Sequence, residues 1–345
     1  MQKFLQQKVR PNILSMLARL DVQFAESRKE AKILLDAGES PFNSPLNRYP
    51  DSRYADLCAD LGQMRGIIPD CVLPTNGVDE IIDLLMRVFC IPGRDNVVAI
   101  DPTRPLYARI AAAGDVEYRR APLQEDFSLD AEALLRLCNA QTKLLLLCTP
   151  NSPTGNALER KALLRLLDAF EGLVVVDETY IDFCSEPTLI PELQNYKNIL
   201  VVHSFSKAWA CAGINLAVSY ARPELIALLR RVKSPCSISS LVLKEAIAML
   251  RRRYDVENWV KQTLDERFKV LRAIRMLPFY VCDFPTETNF ILVRVKNAAQ
   301  VYDSLLSQGI LVDNCSLHDS LTDCLRITIG APHENSALLG ALRKM

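Results

Sequence analysis

Residues 173–180 read LVVVDETY: four apolar residues in a row, three of them valine, cut off by a carboxylate. A strand with one wet face alternates apolar and polar residues. An unbroken run is expected of a strand covered on both faces. The same texture recurs at 97–101 (VVAID), 144–148 (LLLLC) and 199–203 (ILVVH). Between these runs the period changes. Over 78–90, apolar residues recur at 78, 81, 82, 85, 88 and 89, the spacing of a helix with one buried face. Segments 130–137 and 158–170 behave alike. Strands alternating with helices across 73–232 predict a doubly wound α/β domain with a mostly parallel sheet.

The pattern shifts after about residue 240. A long helical stretch is expected over 241–276, then a strand at 289–295, a helix at 298–308, strands near 310–312 and 325–329, and a last helix from about His333. This reads as a smaller α/β domain. The first forty or so residues have weak periodicity and suit an arm, packed on that domain or on a second subunit. The expected division is an arm over 1–45, a large domain over 46–240 and a small domain over 241–345.

The 345 residues carry 41 Lys+Arg against 41 Asp+Glu, with 49% hydrophobic and 24% charged residues. That composition is ordinary for a folded globular protein of about two domains. A net charge of zero lacks the basic footprint of a nucleic-acid or anionic-membrane binder. The densest basic run, Arg251-Arg252-Arg253, is expected on a solvated helix face. Eleven cysteines include no C-x-x-C pair, and three histidines show no zinc-like spacing, so free thiols and no metal are expected. The N-terminus lacks a signal-peptide core and no apolar run is long enough to span a membrane. A cytoplasmic location is expected.

Five local signals stand out, four at the ends of strands and one inside a strand. Thr75-Asn76-Gly77-Val78-Asp79 opens a helix, where free N–H groups suit a phosphate, or where Asn76 is simply a cap. Asn151-Ser152-Pro153-Thr154-Gly155 offers an amide to a ligand, or is only a turn. Asp177, with Tyr180 beside it, is a carboxylate that burial makes costly unless a cation meets it, or else a helix cap. Ser204-Phe205-Ser206-Lys207 sets two hydroxyls around an amine that could bind a carbonyl covalently, or be solvated. Arg326, inside a β-branched strand, wants an anion from a substrate or from the protein itself. Together and in order these are what a pyridoxal-phosphate enzyme requires. Lys207 would carry the aldehyde and Asp177 would face the ring nitrogen. Asn151 and Tyr180 would reach the ring hydroxyl, with Gly77, Val78, Asp79, Ser204 and Ser206 around the phosphate.

These segments, with Asn47-Arg48-Tyr49-Pro50, Phe89-Cys90-Ile91-Pro92-Gly93, Thr286-Glu287-Thr288-Asn289 and Leu325-Arg326-Ile327-Thr328-Ile329-Gly330, make the chain resemble the fold-type-I aminotransferases, and among them the histidinol-phosphate branch. The resemblance implies the fold-type-I transferase architecture, bound pyridoxal 5′-phosphate, a small-molecule amino donor and a 2-oxo acid, and a homodimer. Within it, Tyr49 would reach the cofactor phosphate of the other subunit and Arg326 would bind the substrate's anionic group. Glu39 would sit in a loop near the substrate. Four positions depart from the family pattern. Asn215 stands for a phosphate-binding Arg, Arg104 for a ring-stacking Tyr, Gly38 for an Asn, and Asp313 for a second substrate-phosphate Arg. Arg104 is expected either to stack on the ring or to swing toward the phosphate. The reading expected first is a working aminotransferase. The alternatives are a low-turnover binding or assembly paralogue, or a decarboxylase of a phosphorylated amino acid.

Overall fold

The apolar runs become four neighbouring strands. In the computed structural model, which describes residues 2–19, 31–51 and 54–345, the large sheet comprises β1 (Val72–Asn76), β2 (Asn96–Asp101), β3 (Glu117–Pro122), β4 (Thr142–Cys148), β5 (Leu173–Asp177), β6 (Ile199–Ser204) and β7 (Leu216–Tyr220). Its order is β1-β7-β6-β5-β4-β2-β3. Pairings among β6, β5, β4, β2 and β3 are parallel, and β7 pairs antiparallel with both β6 and β1. Both faces of β5 are covered. Val174 and Val176 join one core with helices Ala55–Arg65 and Arg160–Ala169, while Leu173 and Val175 join another with helices Gly77–Phe89 and Pro223–Val232. Burying each such valine stabilises the fold by roughly 1.5–3 kcal/mol, which is why no polar residue interrupts these strands.

A second sheet, β10-β11-β9-β8 in order, joins β8 (Tyr280–Asp283), β9 (Phe290–Val295), β10 (Asp313–Asn314) and β11 (Cys324–Thr328), all antiparallel. Helices Ala298–Ser307 and Pro332–Leu342 cover it. Among the described residues, no helix is long and apolar enough to cross a membrane.

Several expectations are corrected. The stretch 241–276 is two helices, Ser240–Leu250 and Arg253–Ile274, broken at the solvated Arg251–Arg252. The first packs Ala246 into the large core. The second carries Val256 in that core and Val270 and Ile274 in the small one. The chain therefore passes between the two cores within this helix. No strand forms at 310–312; pairing begins at Asp313, opposite Arg326. β3, β7, β8 and the helix Pro105–Ala113 were not expected. β3 is an edge strand whose polar sequence, with Arg119 paired to Glu117, carries no apolar run. The N-terminal helices Gln2–Lys8 and Pro11–Arg19 pack on the large body, not on the small one: Phe4, Leu5, Val9 and Ile13 join the core of helix Gly77–Phe89.

Candidate active site

The parallel strands end at one edge of the large sheet, the edge beyond which ligands bind in such folds, and several of the expected residues sit there. β5 ends on Asp177, β6 on Ser204, β1 on Asn76, and Asn151 follows β4.

Asp177 is 1% exposed. Its Oδ1 accepts from Thr179 N at 3.0 Å and Thr179 Oγ1 at 2.5 Å. Its Oδ2 accepts from Tyr107 O–H at 2.7 Å and Arg104 Nη1 at 2.5 Å. Arg104 also donates to Thr179 Oγ1 at 3.1 Å. Burial opposes the guanidinium's charge, but the Asp177 carboxylate more than offsets this and holds it firmly protonated. Burial, then the same carboxylate, pushes the Tyr107 phenol well up. Arg104 thus lies neither free for a ring face nor turned to a phosphate; it is the counter-ion of Asp177. Tyr107 and Thr179 complete the cluster, and the sequence by itself does not mark them as partners of Asp177. Their only local signal is a hydroxyl three residues after Arg104 and another two residues after Asp177.

Lys207 follows β6 and has no hydrogen-bond partner among the described residues. Its Nζ lies 5.8 Å from the Tyr180 ring centroid. Desolvation, then the charges of Arg104 and Arg326, lower its pKa, so a larger fraction is the nucleophilic free amine. Tyr180 is 6% exposed and packs edge-on against Phe290 at 5.3 Å; burial raises its pKa. Asn151 is fully buried, and both its N–H groups are spent, on Pro102 O at 2.9 Å and Thr154 Oγ1 at 2.8 Å. Its Oδ1 accepts from Thr103 at 2.8 Å. In this geometry Asn151 shapes the turn and keeps no free donor for a ring hydroxyl.

At the end of β1, Gly77 has φ +78°, and a Cβ there would meet the Asn215 side chain at 2.6 Å. Asn215 itself is left-handed at φ 45°, a conformation asparagine tolerates, and its Nδ2 lies 3.4 Å from Asn76 O. Val78 points into the core, and the Asp79 carboxylate turns out to Arg109 at 3.0 Å, leaving their backbone N–H groups for an anion. Ser204 is buried and accepts from Ser206 N at 3.2 Å. Ser206 is half-buried.

The small sheet contributes Arg326. Its Nη1 donates to Ser152 Oγ at 2.9 Å and its Nη2 pairs with Asp313 at 2.8 Å. Further contacts bind the bodies together, among them His318 Nε2 with Asp101 Oδ2 at 3.0 Å, Glu287 N donating to Gly155 O at 2.8 Å, and Ser185 N donating to Glu287 Oε2 at 3.0 Å. Tyr49 and Glu39 lie apart from this cluster. Glu39 pairs with Arg48 at 2.9 Å and accepts from Tyr49 N at 2.7 Å. With Gly38, Cys236 and Leu241, the two line a separate groove of about 550 Å³. The Tyr49 side chain is exposed, as are Ile33, Leu35, Phe42, Leu46 and Leu241.

These residues fit pyridoxal phosphate: a buried carboxylate, an amine without a hydrogen-bond partner among the described residues, a buried tyrosine, and a left-handed glycine opening a helix. Residues 25–344 match the family described as aminotransferase class I and II. The chain is 42% identical to histidinol-phosphate aminotransferase of Bacteroides fragilis over 342 residues, 99% of each chain. It is 40% identical to that of Bacteroides thetaiotaomicron over the same length and the same shares. Its fold resembles histidinol-phosphate aminotransferase from Sinorhizobium meliloti in complex with pyridoxal-5′-phosphate, with a TM-score of 0.81, 22% identity and 95% of each chain covered.

Proposed function

Because the chain belongs to the class I and II aminotransferase family, we propose that it transfers the amino group of histidinol phosphate to 2-oxoglutarate, a step of histidine biosynthesis, with pyridoxal 5′-phosphate as cofactor. The observation that supports this reading is Lys207: an amine of lowered pKa, without a hydrogen-bond partner among the described residues, which feels the charges of Arg104, Arg326 and Asp177 and lies 5.8 Å from the Tyr180 ring centroid. When bound, the cofactor supplies an electron sink for the substrate's α-carbon. Lys207 Nζ would hold it and then take the α-proton. Asp177 would hold the ring nitrogen, and Tyr180 the ring hydroxyl. The N–H groups of Gly77, Val78 and Asp79, with the hydroxyls of Ser204 and Ser206, would hold the phosphate. Arg326 would orient the substrate's anionic end.

The exposed apolar side chains around Tyr49 support a homodimer in which this segment is covered by a second copy. Eleven free cysteines and a biosynthetic reaction fit a cytoplasmic enzyme. The test is glutamate formation from histidinol phosphate and 2-oxoglutarate. Lys207→Ala should abolish both turnover and retention of cofactor after borohydride reduction. Equal retention by wild type and variant would overturn the role of Lys207.

A further inference from the structure

A carboxylate offers about four acceptor positions, and at Asp177 all four are filled. Thr179 fills the Oδ1 side from the same turn, with its N–H and its hydroxyl. The Oδ2 side is shared by Tyr107 and Arg104. Tyr107 is fully buried within helix Pro105–Ala113 and has no room to leave. Arg104 differs. It precedes that helix in extended conformation, and its side chain is 21% exposed. Its neighbour Thr103 is anchored to Asn151, so the guanidinium can withdraw by side-chain rotation while the backbone stays. An isolated buried carboxylate is strongly unfavourable and takes a cation wherever one is within reach. Among the described residues, Arg104 is the cation in contact with Asp177.

We propose that Arg104 is a placeholder cation: it occupies the position on Asp177 that the protonated ring nitrogen of the cofactor takes, so that loading the cofactor exchanges one cation for another. This rests on the reading of Asp177 as the ring-nitrogen partner. The consequence is that the cofactor-free protein is stabilised and cofactor affinity is held down, because each binding event must displace an ion pair. Arg104 is then a positioning residue for cofactor loading.

The test compares wild type, Arg104→Gln, Arg104→Lys and Asp177→Asn, each stripped of cofactor. Two quantities are read: the thermal midpoint with and without saturating pyridoxal phosphate, and the pyridoxal-phosphate Kd by absorbance titration. For Arg104→Gln, the cofactor-free midpoint should fall below wild type. The gap should close at saturation, and the Kd should tighten by about tenfold, since binding and stability are linked. A gap that persists at saturation, or a Kd equal to or weaker than wild type, overturns the proposal and makes Arg104 a fixed part of the loaded site. If the glutamine variant does not fold, Arg104→Lys carries the test. It keeps the charge but not the planar fork, and should tighten the Kd by a smaller factor; no tightening overturns the exchange. Asp177→Asn separates the two ideas. If it binds cofactor as wild type does, the role of Asp177 itself fails, whatever Arg104 does.

Discussion

Asp313→Asn should sharpen recognition of a phosphorylated amino donor. Asp313 stands opposite Arg326 in the β10–β11 register, and its Oδ2 lies 2.8 Å from Nη2 of the guanidinium. Part of the charge offered to an incoming anion is therefore already neutralised. The two side chains are 31% exposed for Arg326 and 49% for Asp313, so the surroundings are neither dry nor fully aqueous. For a phosphate paired with the same guanidinium, a separation of about 6 Å from the Asp313 carboxylate is taken for the Coulomb estimate. At that separation, with an effective dielectric of about 40, each pair of like unit charges costs roughly 1.4 kcal/mol. A phosphate monoester carries about 1.5–2 charges near neutrality, and partial exposure and salt reduce the sum. The net expectation is a fall of about tenfold in KM for histidinol phosphate. kcat should hold, because Lys207 and Asp177 are untouched. The assay is steady-state kinetics with histidinol phosphate and with histidinol, each at low and high salt. The drop should appear only for the phosphate ester and shrink as salt rises. An equal change for both donors, or one insensitive to salt, would show that Asp313 acts through packing and refute the electrostatic argument.

Other predictions concern stability and the cofactor cradle. Burial pushes the Glu178 carboxyl up to about 7, from an ordinary 4.5, against hydrogen bonds from Thr188 and Leu189. The folded state then holds this proton more tightly than the unfolded one. Its stabilisation is complete below the unfolded value and is lost as pH rises from about 4.5 to 7, on the order of 3 kcal/mol in all. Urea midpoints should fall across that window in wild type and flatten in Glu178→Gln; an unchanged slope in the variant would assign the effect elsewhere. Gly77→Ala forces a left-handed φ on a residue with a Cβ and drives that carbon against Asn215. The strain should cost roughly 1–3 kcal/mol, read as a lower thermal midpoint together with weaker pyridoxal-phosphate binding. Unaltered cofactor affinity would show that this turn is not the phosphate cradle.

Much of the fold follows from the sequence alone. The runs at 97–101, 144–148, 173–177 and 199–203 contain no polar residue before their last position or two. Only a strand shielded from water on both faces tolerates that, so a parallel sheet between helices is nearly forced. Asn151, Asp177, Tyr180, Ser204 and Lys207 then fall at its carboxyl edge because each stands at or just after the end of such a run. Lys207, Asp177 and Tyr180 were legible for this reason. Asn151 was legible as a position but not in what it bonds. β3 and β8 were not legible: an edge strand and a short, half-exposed one carry no apolar signature. The packing of residues 2–19 on the large body was equally hidden, since an amphipathic helix shows that it has a partner but not which one.

The charges were decided by tertiary structure. Arg104 and Asp177 are 73 residues apart, and nothing local says that the Arg104 side chain will neutralise a carboxylate at the end of β5. Arg326, inside a β-branched strand, calls for an anion, and the local sequence does not say whether substrate or protein supplies it. The register of a two-residue strand, β10, brings Asp313 opposite it. Hydrophobic burial is written in the local period of the chain, because each segment must hide its own apolar face. Ion pairs form between segments, and their partners are set by strand order, register and the direction in which each helix leaves the sheet.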